Sequence, residues 1–208
     1  MRKVGVSILG LDVSQMQSRI IDFEKFEFDS WHLDVMDLNF VPNLSYGLEY
    51  LNSLKFSKSC ELHLMVNKPS ILCEEILHKF ENLRKNLKAI YIHVEIDPVE
   101  IVKCLEFDLP IALAVNPDTE IALYEKFLRL VDKILIMTVF PGFSGQKFIL
   151  DALDKVSQIK AINSEIEFWV DGGVNEESIN LIPKGLNVVS ASFLQKSKDI
   201  QTDLDLLT

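Results

Sequence analysis

Hydrophobic positions fall in short runs separated by stretches with helical spacing. Runs rich in Val, Ile and Leu occupy 3–9 (KVGVSIL), 30–35, 60–66 (CELHLMV), 89–95 (AIYIHVE), 110–115 (PIALAV), 133–138 (KILIMT), 166–170 (IEFWV) and 187–191 (NVVSA). Most are continuous rather than alternating, the pattern of strands covered on both faces. Between them, 14–26, 45–56, 69–83, 117–128, 146–161 and 175–182 space their apolar residues as helices do. Strand-then-helix order throughout predicts right-handed crossovers and a parallel sheet.

Helix starts are written into the connections. Asp97-Pro98-Val99-Glu100 offers an N-cap, a proline at the first helical position and a glutamate for a capping box, and Asn116-Pro117 and Asn175-Glu176 repeat the cap. Each follows a strand closely, so the connections are short. Eight such units can close into a barrel, whereas a doubly wound sheet usually has fewer strands and a Gly-rich turn after the first. Here that turn reads Ser7-Ile8-Leu9-Gly10-Leu11-Asp12, without GxGxxG. The expected fold is a (β/α)8 TIM barrel forming a single domain over residues 1–208.

Composition narrows the partners. At 208 residues the chain can bury one substantial core, and 48% hydrophobic with 25% charged residues is the balance of a folded globular protein. A net charge of −10, with no Lys/Arg block longer than two residues, supplies no footprint for nucleic acid. No window approaches the ~20 apolar residues of a spanning helix, and the start MRKVGVSILG has no secretory pattern. The expectation is a cytoplasmic protein without a membrane partner. Cys60, Cys73 and Cys104 are odd in number and widely spaced, which reads as buried thiols in a reducing compartment.

In a barrel the chemistry sits at the C-terminal ends of the strands, so polar residues there become candidates. His32 and Asp34 lie two apart on one strand and point the same way; His63 comes from the next strand, and Asp171 ends the seventh. Two imidazoles and two carboxylates converging on one end suit a divalent zinc, iron, cobalt or manganese ion. Each histidine ligand would then donate its other ring N–H to a carbonyl or carboxylate. Taken singly, each residue is better read as a hydrogen-bonded core group or a turn cap. His78 falls on a helix and reads as structural; His93, in the fourth strand, admits either role, with the structural one favoured. Glycine adds a second signal: Phe140-Pro-Gly-Phe-Ser-Gly-Gln146 follows the sixth strand and Asp171-Gly-Gly-Val174 the seventh. Backbone N–H groups in such loops hold phosphate without a basic side chain, so an acidic protein can still bind an anion.

Together these residues resemble the ribulose-phosphate 3-epimerase family, metal-dependent (β/α)8 barrels. The matching segments are Ser7-Ile-Leu9, His32-Leu-Asp-Val-Met-Asp37, Phe40-Val-Pro-Asn-Leu44, His63-Leu-Met-Val66, Asn116-Pro117, Pro141-Gly-Phe143, Gly145-Gln-Lys-Phe148, Asp171-Gly-Gly-Val174 and Ser192. They run from end to end in the family's order. The resemblance implies that His32, Asp34, His63 and Asp171 ligate one divalent metal ion and that Asp34 and Asp171 also act as the acid/base pair. It implies further that Ser7 and His63 contact the substrate. Gly142, Phe143, Ser144, Gly145, Gly172, Gly173, Ala191 and Ser192 would lie on its phosphate side, with Met36, Met65 and Met137 lining the site.

The implied reaction inverts C3 of D-ribulose 5-phosphate to give D-xylulose 5-phosphate through an enediolate, with one carboxylate on each face and the 140–147 loop folding over the substrate. The implied partners are a sugar phosphate and, as in many family members, further copies of the chain. Some positions depart from the family pattern: Val6 for a proline, Leu38-Asn39 for glycine and a basic residue or histidine, Phe140 for asparagine, and Ser144 and Ala191 for glycines. Asp37 matches the motif and would support the site through hydrogen bonds. Three rival readings remain: an epimerase of another ketose phosphate such as allulose 6-phosphate, a non-catalytic sugar-phosphate-binding barrel, and a metal-dependent hydrolase.

Overall fold

A computed structural model describes residues 1–208. The strands are β1 (Val4–Ser7), β2 (Ser30–Met36), β3 (Ser59–Met65), β4 (Leu87–His93), β5 (Ile111–Val115), β6 (Lys133–Met137), β7 (Glu167–Asp171) and β8 (Asn187–Ser190). They pair in parallel, each with its neighbours in sequence, and β8 returns to β1, closing the barrel. Around it lie α1 (Met16–Phe23), α2 (Leu48–Ser53), α3 (Pro69–His78), α4 (Glu81–Asn86), α5 (Pro98–Leu105), α6 (Lys155–Ile162), α7 (Ser192–Gln195) and α8 (Ile200–Leu207). No helix is long and apolar enough to cross a membrane.

Alternation along each strand divides two cores. Outward residues such as Trp31, Leu33, Leu62, Leu64, Ile90 and Ile136 pack against the helices in one large cluster. Inward residues fill the barrel: Ala89, Tyr91, Ala112, Ala114, Leu135, Met137, Trp169 and Val189. Small inward residues make room for large ones. A Cβ at Gly5 would already stand 3.3 Å from Trp169 Cζ3. The bottom is plugged by polar groups: Lys3 pairs with Glu167 at 2.8 Å, and buried Glu61 accepts from Tyr91 (3.2 Å) and Lys133 (3.4 Å). The C-terminal end is thereby left as the open face.

The expected 69–83 helix divides into α3 and α4, the 146–161 helix starts as a 3-10 turn over Leu150–Asp154, and two further expected helices form only 3-10 turns. Residues 117–128 make only 3-10 turns, Ile121–Leu123 and Glu125–Phe127. The turn before them is held outside a helix by Glu95, whose Oε1 accepts from Asn116 N (2.8 Å) and Thr119 Oγ1 (2.5 Å). The 175–182 segment yields one 3-10 turn, Ser178–Leu181, because Asn175 Oδ1 accepts from Glu177 N and Ser178 N and Pro183 stops the chain. Asp97 caps α5 by accepting from Val99 N, but Glu100 does not complete a capping box; its carboxylate accepts from Ser70 and Lys103 instead. α4 and the closing pair α7 and α8 complete the outer layer.

Candidate active site

β2 builds the centre of the open face. Its seven residues are all buried, and alternation turns His32, Asp34 and Met36 inward. Registry sets Asp34 beside His63 on β3 and Met36 beside Met65, while β6 and β7 set Met137 beside Asp171. His63 Nδ1 stands 3.1 Å from Asp34 Oδ1, and His32 Nε2 lies 3.4 Å from Asp34 Oδ1 and 3.7 Å from Asp171 Oδ2. Ligand atoms of His32, Asp34, His63 and Asp171 all lie within 4.8 Å of one another. Ser7 Oγ donates to the second Asp34 oxygen at 2.8 Å.

The donor set fits a divalent cation. Neither ring nitrogen of His32 has a hydrogen-bond partner although the residue is fully buried, and two carboxylates face it, an arrangement that a shared positive ion would satisfy. Without such an ion the charge balance falls on protons. Burial disfavours the His32 imidazolium, yet the neighbouring Asp34 charge, with Asp171 and Glu61, raises its pKa to about 9. Burial also raises Asp34, but the neighbouring His32 charge opposes that, and the carboxyl is held well below the usual carboxylate range. Burial, opposed by His32 and joined by the Asp34 charge, pushes Asp171 up to about 7. Burial lowers His63 to about 4, keeping it neutral.

Above the cluster opens a cavity of about 980 Å³. It is lined by Ser7, Met36, Met65 and Met137, by Gly142, Phe143, Ser144 and Gly145, and by Gly172, Gly173, Ala191 and Ser192. His32 lies beneath this lining. The residues named from sequence for metal, substrate and phosphate therefore share one face. Leu9, Asn175 and Lys196 also line the cavity; Leu9 falls in a matching segment and Asn175 at a helix cap, but the sequence marks none of the three as a site residue. Leu38, Asn39 and Phe140 do not line it, whereas Ser144 and Ala191, two further departures from the pattern of the resemblance, do.

The loops over this face are tied together. Asn43 Nδ2 donates to Gly142 O at 2.6 Å, and Gln146 Nε2 donates to the carbonyls of Phe140 and Phe143. Asp37 organises the 37–44 loop by accepting from the backbone N–H groups of Asn39, Phe40 and Asn67. Leu38, one of the departures from the pattern of the resemblance, sits at φ 60°. One expectation needs correction. The second ring nitrogens do not meet carbonyls or carboxylates: His32 Nδ1 has no partner, and His63 Nε2 faces His93 Nε2 at 2.9 Å. His93, which the sequence leaves open between a structural and a site role, is thus in contact with His63. The available signal was spacing, since His93-Val-Glu95 at the end of β4 repeats the His32-Leu-Asp34 pattern of β2.

Fold and cluster define a (β/α)8 barrel with a buried carboxylate–imidazole centre that could hold a metal ion. The model of the ribulose-phosphate 3 epimerase family matches residues 3–194, and the chain belongs to that family. Its relatives include ribulose-phosphate 3-epimerase of Methanocaldococcus jannaschii, 34% identical with 97% of this chain and 88% of that protein covered, and that of Bacillus subtilis, 32% identical with 92% and 90% covered. Among solved structures, KGPDC from Streptococcus mutans superposes with a TM-score of 0.71 at 10% identity, covering 100% of this chain and 95% of that one. The 3-keto-L-gulonate-6-phosphate decarboxylase from Vibrio cholerae reaches 0.68 at 14% identity, with 99% and 95% covered. These two likenesses show the fold.

Proposed function

We propose that the chain is an epimerase that inverts C3 of D-ribulose 5-phosphate to give D-xylulose 5-phosphate, using Asp34 and Asp171 as acid and base. The observation that carries this reading is the meeting of two carboxylates, one from β2 and one from β7, in a single cluster within 4.8 Å at the floor of the cavity. Inversion next to a carbonyl requires one group to remove a proton from one face of the carbon and another to return a proton to the opposite face. Different environments suit the two carboxyls to these tasks: Asp34 is held ionised, while Asp171 can carry a proton near neutrality. Ser7, donating to Asp34 Oδ2, orients the base.

His32, Asp34, His63 and Asp171 would hold a divalent ion, which when bound supplies Lewis-acid stabilisation of the negative charge that develops on the substrate oxygens. Met36, Met65 and Met137 line the cavity and would keep water from the reacting carbon. The phosphate would lie toward Gly172, Gly173, Ala191 and Ser192, where backbone N–H groups can meet it without a cationic side chain. The test is a comparison of purified, zinc- or cobalt-loaded protein on ribulose 5-phosphate and allulose 6-phosphate, with free phosphate monitored. Turnover of the pentose phosphate to xylulose 5-phosphate supports the reading. Faster turnover of the hexose phosphate, release of phosphate, or binding without turnover would replace it with one of its rivals.

A further inference from the structure

Behind His63 runs a chain of buried and half-buried hydrogen bonds that the proposed chemistry does not use. His63 Nε2 stands 2.9 Å from His93 Nε2, and His93 Nδ1 stands 2.9 Å from Glu95 Oε2. The other Glu95 oxygen accepts from Asn116 N and Thr119 Oγ1 at 2.8 and 2.5 Å. Both imidazoles are fully buried. The Phe40 ring lies against His93 with centroids 4.6 Å apart, covering it beneath the 37–44 loop. So many fixed partners on one carboxylate leave it little freedom to rotate.

With a divalent cation held between Asp34 and His63 Nδ1, the protons along this chain follow from the donors and acceptors. Two ring nitrogens 2.9 Å apart must share one proton, because two lone pairs or two N–H groups would repel. Glu95 faces a backbone N–H and a hydroxyl on one oxygen, as an accepting carboxylate does, so His93 Nδ1 is its third donor. A His63 that presents its Nδ1 lone pair to the cation carries its proton on Nε2, and His93, donating from Nδ1 to Glu95, accepts that proton's hydrogen bond at Nε2. That leaves the His63 lone pair on Nδ1, aimed at the Asp34 oxygen 3.1 Å away. A lone pair facing a carboxylate oxygen is repulsive unless a positive ion sits between them.

We infer that His93 and Glu95 are positioning residues that fix His63 as its Nε2–H tautomer and present Nδ1 as the ligand atom for a divalent cation. This rests on the reading of the four-residue cluster as a cation site. Histidine ligands are usually oriented by a carboxylate or carbonyl on the second nitrogen, and loss of such a partner weakens metal binding by ~10–100-fold. Here the carboxylate acts through an intervening imidazole. Asn116 and Thr119, from the β5 connection, anchor it.

The experiment measures zinc affinity of the purified protein by competition with a chromophoric chelator, together with the nitrogen-15 spectrum of its histidine rings in the zinc-loaded state. Wild type should show His63 protonated at Nε2 and bound through Nδ1. His93→Phe should weaken zinc binding by ~10–100-fold. His93→Gln, whose side-chain oxygen can accept from His63 Nε2–H at the same place, should recover most of the affinity. Should His93→Phe fail to fold, Glu95→Gln carries the test, because it keeps the shape and removes the accepting anion; it should weaken zinc in the same direction. Unchanged affinity in His93→Phe or Glu95→Gln, or a zinc-bound His63 protonated at Nδ1, would overturn the inference while leaving the cation site standing. Failure of wild type to bind zinc, cobalt or manganese would overturn the cation site and the inference with it.

Discussion

Alanine at Gly172 would put a methyl group where Val139, just past β6, leaves no space. The residue has φ +114°, a region L side chains rarely adopt, and its carbonyl accepts from Thr138 Oγ1 at 2.6 Å. A Cβ built there overlaps the Val139 side chain and stands 2.9 Å from Val139 N. The backbone conformation costs about 1–3 kcal/mol for a non-glycine residue, and overpacking against β6 about 1–3 kcal/mol more. The sum, roughly 2–6 kcal/mol, is a large part of the ~5–15 kcal/mol that holds a domain together. At ~2–4 °C per kcal/mol for a chain of this size, the midpoint of thermal unfolding should fall by roughly 5–20 °C. Calorimetry or circular dichroism would read it. A second variant with Val139→Ala added should recover only the part due to side-chain overlap, since the backbone contact and the φ remain. A melting temperature for Gly172→Ala within about 2 °C of wild type would refute the account of how the β6 and β7 loops are packed.

Three other outcomes follow from the same geometry. Leu38→Gly should stabilise the protein by about 0.5–1 kcal/mol, because relief of a left-handed φ of 60° exceeds the entropy that glycine adds to the unfolded chain; unchanged or lowered stability in urea unfolding would contradict this. Zinc affinity should rise with pH, since cation binding must displace protons held by Asp171 up to about pH 7 and by His32 up to about pH 9. The slope of log K against pH should be roughly two below pH 7 and roughly one between 7 and 9, and a flat profile would show that His32 and Asp171 are not ligands. Asp171→Asn should bind zinc more weakly and lose inversion by ~10²–10⁴-fold, as a coupled assay for xylulose 5-phosphate would report.

The strands were legible because burial on both faces removes polar interruptions: the run 110–115 became Ile111–Val115 and 133–138 became Lys133–Met137. Helices were less so, since the 117–128 periodicity is compatible with helix and yields to a turn fixed by a distant carboxylate, Glu95. His32 and Asp34 stood out because a charge and an imidazole two apart on an apolar strand have no ordinary place in a core. His93 carried the same spacing to Glu95 but reads alone as a satisfied core histidine. What brings it to His63 is the pairing of β3 with β4, where His63 lies opposite Tyr91 and the strand continues two residues to His93. Register of that kind depends on how the barrel closes, which local sequence does not specify.

The central claim is tested most directly by proton NMR of zinc- or cobalt-loaded protein with ribulose 5-phosphate in D₂O, comparing wild type with Asp34→Asn. Wild type should take deuterium into C3 while xylulose 5-phosphate appears, and Asp34→Asn should lose both by ~10²–10⁴-fold. Exchange and inversion at wild-type rates in Asp34→Asn, or no exchange in wild type with its four-residue cluster loaded, would contradict the account.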